Sequence, residues 1–584
     1  MIHYHAPYFV LPIEEKLLIY SCEAILIGIT SIKYPFVPTL VCLFATTIFI
    51  NTLTPYLKGF TTLGAYFMYA SLGTVCSNTL WCLWYFSSIG VSSTTRVLLL
   101  STVAVLIFKL PSNILQFFES FDILCRHDWA RPRHALAGEL THEPKVVLQI
   151  PTYAEPPELV IETLAVLSSL QYSNYEVWVI DNNTKDESLW RPVEAYCKTL
   201  GSRFHFIHVD NLKGAKAGAL NYLNRYHTPH DTEIMAVIDA DYHARPDFLS
   251  ALVGYFTDPK LGFIQTPHDY RDWERTEYLR ACYYEYKLFF FTTMSALNER
   301  DTALTVGTMC LIRAQVLAAA GGWSEWCVTE DSELSVRIHA AGFSGIYLQE
   351  SFGQGLIPET FATYKKQRYR WTAGPVQEFF SHFALLWPWQ KKPTSHLSFT
   401  QRLYHFHHGF NNVMVGVNIP LLGIALLTIL SMAWHREIVE VPTELFLTAT
   451  IMLLSKLMLE LFIYRFIIGA NLHDTLRAMI AKSALTHVTS VAAFRTFIHR
   501  NTPWVRTNKF KENSPLMKIL HSVRTETLIG SGFLVLVAAT LWYLPYPGLL
   551  LMFLIGVSYK ALGYMNAGYM GYLEYKATLK PTIS

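Results

Sequence analysis

Two blocks of long apolar runs bracket a central stretch in which apolar residues come in short, separated groups. A helix crossing the hydrocarbon layer needs about 20 mostly apolar residues. Ahead of the centre, segments 17–32, 36–53, 62–91 and 97–118 have that character, although the first is short and carries Glu23. Beyond residue 400, segments 408–432, 445–468, 528–544 and 548–569 have it too. Segment 476–497 is apolar on one side but carries Arg477, Lys482, His487 and Arg495, the pattern of a helix lying in the membrane interface. The expectation is eight spans plus interfacial helices. Arg500, Arg506, Lys509, Lys511, Lys518 and Arg524 make the next loop the most basic stretch, and Arg126, Arg131 and Arg133 mark the entry to the centre. The positive-inside rule places both on the cytoplasmic side.

Within residues 126–400 the pattern changes. Short runs rich in β-branched and aromatic residues recur at 146–150, 176–180, 204–209, 234–238 and 262–265. Helix-compatible stretches such as 157–170 and 216–224 lie between them. Alternating strands and helices predict a largely parallel sheet covered on both faces, with ligands at the carboxyl ends of the strands. Three polar motifs fall at those ends: Pro151-Thr152-Tyr153-Ala154-Glu155, Asp181-Asn182-Asn183 and Asp239-Ala240-Asp241. Together they outline a nucleotide pocket. The chain thus divides into 1–125, 126–400 and 401–584.

Composition supports the membrane reading. Of 584 residues, 51% are hydrophobic and only 16% charged, against roughly 25% in ordinary soluble domains. A net charge of +2 gives no reason to expect a nucleic-acid partner. The nine cysteines are scattered without a C-x-x-C pair, so they read as buried or reduced thiols. Residues 1–12 lack the pattern of a removable signal peptide.

Several polar groups could carry chemistry, each beside a plainer account. Asp239 and Asp241 are two residues apart, so in an extended segment both carboxylates face one way and could meet a hard cation such as Mg²⁺ or Mn²⁺. An Asp-rich turn explains them equally well. Thr329-Glu330-Asp331 precedes the helical run 332–341. Either Thr329 caps the helix and the acids complement its dipole, or Asp331 is a general base for an acceptor hydroxyl. Gln367, Arg370 and Trp371 lie in the helix-compatible stretch 360–380, interleaved with Lys365, Lys366 and Arg368. That is either an interfacial helix with snorkelling cations, or Arg370 meets a diphosphate while Trp371 offers a face to a sugar ring. Lys213 and Lys216 sit where small residues open a helix, an anion site or a solvated helix start. His405, His407 and His408 read as structural, and Lys456 with Glu460 as an ion pair within a span or a helix–helix contact.

In this order, the motifs from Pro151-Thr-Tyr-Ala-Glu155 to Gly374 resemble the processive glycosyltransferases of family 2, especially the bacterial cellulose synthase catalytic subunit. They include Lys216-Ala-Gly-Ala-Leu-Asn221, Asp239-Ala-Asp241, Gln265-Thr-Pro-His268, Thr329-Glu-Asp331, Pro358-Glu-Thr360 and Gln367-Arg-Tyr-Arg-Trp371. The resemblance implies an α/β GT-A nucleotide-sugar-binding domain inserted between the two transmembrane blocks. It implies that Thr152, Tyr153, Glu155, Asp181, Lys216, Asp239, Gln367 and Arg370 bind a UDP-sugar, with Mg²⁺ or Mn²⁺ held by Asp239, Asp241 and His268. Asp331 would be the catalytic base, and Trp371, Gly307, Thr308 and Glu330 would meet the growing glycan acceptor. Trp504-Val-Arg-Thr-Asn-Lys509 resembles the family's gating loop, with Thr507 and Lys509 over the nucleotide and Trp504 in place of the usual Phe. The implied setting is a bacterial inner membrane, with the lipid bilayer and accessory export subunits as partners. Two stretches depart from the cellulose pattern: Leu304-Thr305-Val306-Gly307-Thr308, and Asp-Tyr-Arg-Asp-Trp273 after His268.

Overall fold

The computed structural model describes residues 79–135, 143–390, 395–437, 439, 443–500, 515–543 and 548–579. The expected spans 17–32 and 36–53, most of 62–91, and the 504–509 loop with Thr507 and Lys509 lie outside these residues.

Among the described residues, ten strands build two sheets: β1 Val146–Thr152, β2 Tyr175–Asn182, β3 Phe204–Val209, β4 Ile234–Val237, β5 His243–Ala244, β6 Leu261–Gln265, β7 Asp269–Tyr270, β8 Cys310–Arg313, β9 Ser344–Tyr347 and β10 Gly353–Gly355. The main sheet has seven strands in the order β3-β2-β1-β4-β8-β6-β9, and β5, β10 and β7 form the second. The first four strands of the main sheet run parallel, as the alternation with helices requires, but β8 is antiparallel to both β4 and β6. The sheet is therefore mixed, not purely parallel. Its strands are buried through Val146, Leu148, Ile150, Val177, Val179, Ile234, Ala236, Ile264 and Leu311, the core of this layer.

The helices needed below are α1 Ser93–Cys125, α2 Pro157–Leu167, α3 Ala215–Tyr226, α4 Glu277–Phe291, α5 Glu330–Ala340, α6 Phe361–Ser381, α7 Phe399–Gly416, α8 Leu472–Ala484, α9 Thr486–Ile498, α10 Leu516–Tyr543 and α11 Gly548–Leu579. Among the described residues, three helices are long and apolar enough to cross a membrane: Ser93–Cys125, Phe399–His435 and Leu516–Trp542. The expected run 445–468 is helical as Thr443–Phe462, closed by a π-helical turn at Ile463–Ile467, and 548–569 lies within α11.

The chain separates into two compact units. One comprises Met1–Ala130, Pro420–Gly469 and Leu536–Ser558; the other comprises Arg131–Ile419, Ala470–Val535 and Tyr559–Ser584. The second unit thus contains the sheets together with later helical segments. The stretch expected as one interfacial helix at 476–497 is two helices, α8 and α9, which break at Leu485. Small buried residues (Ala478, Ala481, Ala484, Ala492 and Ala493) let α8 lie against α4, and α9 against α6 and α7.

Candidate active site

β1, β2 and β4 end side by side, and beyond their carboxyl ends opens a cavity of about 600 Å³. Thr152, Tyr153 and Glu155 line it from the end of β1, and Asp239 and Asp241 from the end of β4. Lys216 of α3, His268, Glu330 and Asp331 of α5, and Gln367, Arg370 and Trp371 of α6 complete the expected residues on its wall.

The carboxylate pair arrives there by a turn, not by an extended strand. β4 stops at Val237, and the Tyr242 amide donates to the Asp239 carbonyl at 3.0 Å. Lys216 Nζ donates to Asp239 Oδ1 at 2.6 Å and to the Gly307 carbonyl at 2.7 Å. Asp241 Oδ2 accepts from the Leu356 amide at 2.7 Å, and Arg271 binds the Asp241 carbonyl and, at 2.8 Å, that of Gln354. Arg271 belongs to the stretch after His268 that departs from the cellulose pattern, so this departure braces the carboxylate turn.

His268 Nε2 lies 2.9 Å from the Val306 carbonyl, so that nitrogen carries a proton and donates. Among the described residues no three His, Cys, Asp or Glu side chains are grouped as metal ligands. The expected trio Asp239, Asp241 and His268 is thus not grouped as a three-ligand set, and each member has a hydrogen-bond partner of its own. Two carboxylates on a cavity wall still fit Mg²⁺ or Mn²⁺, which commonly uses one or two protein carboxylates plus substrate phosphates.

Three expected contact residues, Asp181, Gly307 and Thr308, are not on the wall. Asp181 is buried, with Thr152 Oγ1 at 3.2 Å, Thr184 Oγ1 at 2.7 Å and His208 Nδ1 at 2.8 Å around its carboxylate. Thr184 Oγ1 also accepts from the Ala154 amide at 2.8 Å, so this network shapes the 151–155 turn. Thr308 is fully buried, and its Oγ1 accepts from the Asp239 amide at 3.0 Å; it steadies a lining residue and offers no surface. Gly307 lies between Lys216 and Asp331. Its φ is +85°, and a β-carbon there would sit 2.5 Å from Asp331 Oδ2. Asn182, Asn183, Tyr242 and Tyr270 also line the cavity and were not among the expected contacts. Asn182 and Asn183 directly follow Asp181, and Tyr242 follows Asp241, so their places in the strand-end motifs were the available signal.

Thr329 precedes α5 but its side chain does not cap the helix. Its Oγ1 instead lies 3.2 Å from Ser332 Oγ. The Asp331 carboxylate accepts from the Ser332 amide at 2.8 Å, and its carbonyl from Thr305 Oγ1 at 2.6 Å. Burial raises the pKa of Asp331, with Lys216 and Arg370 opposing. Burial, then the Asp331 charge, pushes Glu330 up to about 7. For Lys216 burial works against the charge, but Asp239, Glu330 and Asp331 outweigh it and keep the ammonium protonated.

α6 presents its cations in different directions. Arg370 lines the cavity, whereas Arg368 pairs with Glu285 and packs over the rings of Tyr286, Trp371 and Tyr364 at 4.5, 5.1 and 5.4 Å. Lys365 Nζ is 2.6 Å from Glu526 of α10. Gln367 Oε1 accepts from the Tyr286 hydroxyl. Lys365 and Arg368 are thus committed to carboxylate partners, and do not snorkel to an interface. His405 and His339 are buried with their rings joined, Nδ1 of His339 to Nε2 of His405, at 2.9 Å, a structural pairing.

Residues 144–374 match the family model described as glycosyltransferase like family 2. Over 276 residues the chain is 28% identical to a cellulose synthase catalytic subunit (UDP-forming) of Pseudomonas fluorescens (strain SBW25), covering 46% of this chain and 36% of that protein. Over 245 residues it is 28% identical to a probable glucomannan 4-beta-mannosyltransferase of Oryza sativa subsp. japonica, covering 40% of this chain and 46% of that protein. The chain thus spans less than half the length of these curated relatives. A solved mannosyltransferase of Pyrobaculum calidifontis, in complex with GDP-Man and Mn²⁺, aligns at a TM-score of 0.46 and 19% identity over 68% of this chain and 99% of that one. Every residue named on the cavity wall falls inside the family match, so residues 144–374, which carry the mixed α/β sheet and its cavity, are the part of this chain that matches a glycosyltransferase family 2 domain.

Proposed function

We propose that this chain is an inverting glycosyltransferase that polymerises a β-linked glycan from a UDP-sugar at a membrane and passes the product across it. One observation carries the reading: a single cavity holds the Asp239/Asp241 pair, the raised-pKa acid Asp331 and the cation Arg370. Thr152, Tyr153, Glu155 and Lys216 hold the nucleotide, with Asp181 fixing their turn from behind. Asp239 and Asp241 would hold the metal, which would supply positive charge to the leaving diphosphate. Arg370 and Gln367 meet the same diphosphate, and Trp371 and Glu330 the acceptor end.

Asp331 accepts the proton of an acceptor hydroxyl as that oxygen bonds to the anomeric carbon. The bond from this carbon to the diphosphate oxygen breaks, and its electron pair leaves with UDP. One such displacement inverts the carbon, so an α-linked donor yields a β-linkage. A carboxylate whose pKa is raised is a better base than an exposed one, provided it remains ionised; Lys216 and Arg370 serve that condition. UDP-glucose is the preferred donor, by likeness to the bacterial relative. The glycosyltransferase domain faces the cytoplasm of a bacterial inner membrane, the side to which the positive-inside rule assigns the basic segments.

The test is purified full-length protein with a panel of UDP-sugars and Mg²⁺ or Mn²⁺, followed by linkage analysis of the product. An insoluble, glycosidase-sensitive polymer supports the reading; a chloroform-extractable glycolipid replaces polymerisation with transfer to lipid. Asp331→Asn should abolish transfer and leave UDP binding near normal. Normal turnover in that variant removes Asp331 as the base.

A further inference from the structure

Behind the first turn of α5 lies an acid that the proposed chemistry does not touch. Glu378 of α6 is 1% exposed. Its Oε2 is 3.0 Å from the Ser332 hydroxyl, and its Oε1 has no hydrogen-bond partner among the described residues. Neighbouring Glu333 is in the opposite situation. It is bound by Arg337 Nη2 at 2.7 Å, by His382 Nε2 at 2.7 Å and by the Ser324 hydroxyl, and these partners overcome burial and pull it down to about 2. The basic groups of this interface are therefore committed to Glu333. The charged groups acting on Glu378 are Glu333 and Asp331, both acidic, and the Cys327 thiol beside it is itself pushed up by burial. A carboxylate buried with a single hydrogen bond and acidic neighbours is strongly disfavoured; a neutral acid is not. Burial and then Glu333 raise Glu378 to about 8.

Ser332 connects this group to the base. Its amide donates to Asp331 Oδ1 at 2.8 Å, while its hydroxyl lies 3.2 Å from Thr329 Oγ1 as well as 3.0 Å from Glu378. A hydroxyl has one proton to give. With Glu378 ionised, that proton must point at Glu378. With Glu378 protonated, the acid donates to Ser332 Oγ and the hydroxyl proton turns to Thr329. The two helices pack closely here: a β-carbon at Gly374, one turn before Glu378, would lie 1.8 Å from Thr329 Oγ1.

We propose that Glu378 is a neutral carboxylic acid and a positioning residue, donating a hydrogen bond to Ser332 so that the Ser332 amide holds Asp331 in its catalytic place. The inference rests on the proposed role of Asp331 as base. Ionisation of Glu378 reverses the hydrogen bond and adds a negative charge near the base, so kcat falls above about pH 8.

Glu378→Gln mimics the protonated acid, because its amide NH₂ can donate to Ser332; Glu378→Ala cannot. Full-length wild type and both variants are compared for kcat and donor KM from about pH 6.5 to about pH 9.5, across the region where a carboxyl raised to about 8 ionises. Glu378→Gln should stay close to wild type at neutral pH and lose the alkaline fall. Glu378→Ala should lose about 10- to 100-fold in kcat with little change in KM, as a misplaced base does. Infrared difference spectra, wild type minus Glu378→Gln, should show the carbonyl stretch of a protonated carboxylic acid at neutral pH and its loss above pH 9, roughly one unit past the midpoint. The proposal is overturned if Glu378→Gln is as impaired as Glu378→Ala, if it keeps the wild-type alkaline fall, or if the infrared band is absent. Should wild type release no UDP from any donor, the proposed function fails, while the infrared result still decides the protonation of Glu378.

Discussion

Gly307 shows how little room the site leaves around its proposed base. At φ +85° an alanine is strained, and its β-carbon would meet Asp331 Oδ2 at 2.5 Å and Lys216 Nζ at 3.5 Å. Gly307→Ala should therefore lower kcat about 10- to 100-fold by displacing the carboxylate, with UDP release as the assay and retained UDP binding as the check that the variant is folded. A second prediction concerns charge. Burial raises Asp331 and Lys216 opposes it, so removing the ammonium in Lys216→Met should raise it further. A base works only when ionised, so the acid limb of the kcat/KM profile should move to higher pH in that variant. An unmoved limb would mean that Lys216 does not set the ionisation of the base. At this scale the sequence was informative about membership and poor about direction. Thr152, Asp239 and Asp331 reach the cavity as their motifs suggested, yet Asp181 and Thr308 turn behind it. Adjacent residues at a strand end point to opposite sides, and a motif of two or three letters does not say which one looks inward.

Elements were legible where their apolar pattern was long enough to have a period. The first four strands of the main sheet and helices α2, α3, α5 and α6 lie within a few residues of their expected places. β8 was missed because Cys310–Arg313 is only four residues, apolar without alternation, and its antiparallel pairing with β4 and β6 depends on chain far from it. The character of α6 was also hidden: cations among aromatics read as snorkelling until the structure supplies Glu285 and Glu526 as their partners. It approaches the residue before α5 closely at Gly374, where an added β-carbon would lie 1.8 Å from Thr329 Oγ1 and 2.5 Å from Thr329 Cγ2. Gly374→Ala should force α5 and α6 apart and destabilise the protein by about 1–3 kcal/mol, the usual cost of overpacking. Thermal unfolding checks this, and an unchanged midpoint would show that the helix pair yields without cost.

For the molecule as a whole, the instructive feature is how much of the compact unit around the site comes from beyond residue 400. Tyr278, Cys282, Tyr286, Phe361 and Tyr364 share one buried cluster with Ala481, Ala484, Val523, Ala567 and Leu573. Polar contacts reinforce it. Arg280 holds Asp474, Lys365 holds Glu526 at 2.6 Å, and the Phe361 amide donates to Glu574 at 2.8 Å at the start of α6. A composition change near residue 400 cannot reveal this, because alanine and leucine on α8, α10 and α11 look the same whether they meet lipid or the flank of α6. The consequence is testable by truncation. A fragment covering residues 126–400 keeps every described residue of the cavity wall but loses the helices that bury α4 and α6, exposing Phe361, Tyr364 and Tyr278 and leaving Lys365 without Glu526. It should bind UDP more weakly than the full chain, by about 10-fold or more, because Gln367 and Arg370 ride on a helix that has lost its support. Calorimetric titration of UDP into both proteins, in the same detergent and metal, decides the point. Equal affinity would mean that α6 is held by the sheet alone, and that the later helices serve the membrane without shaping the site.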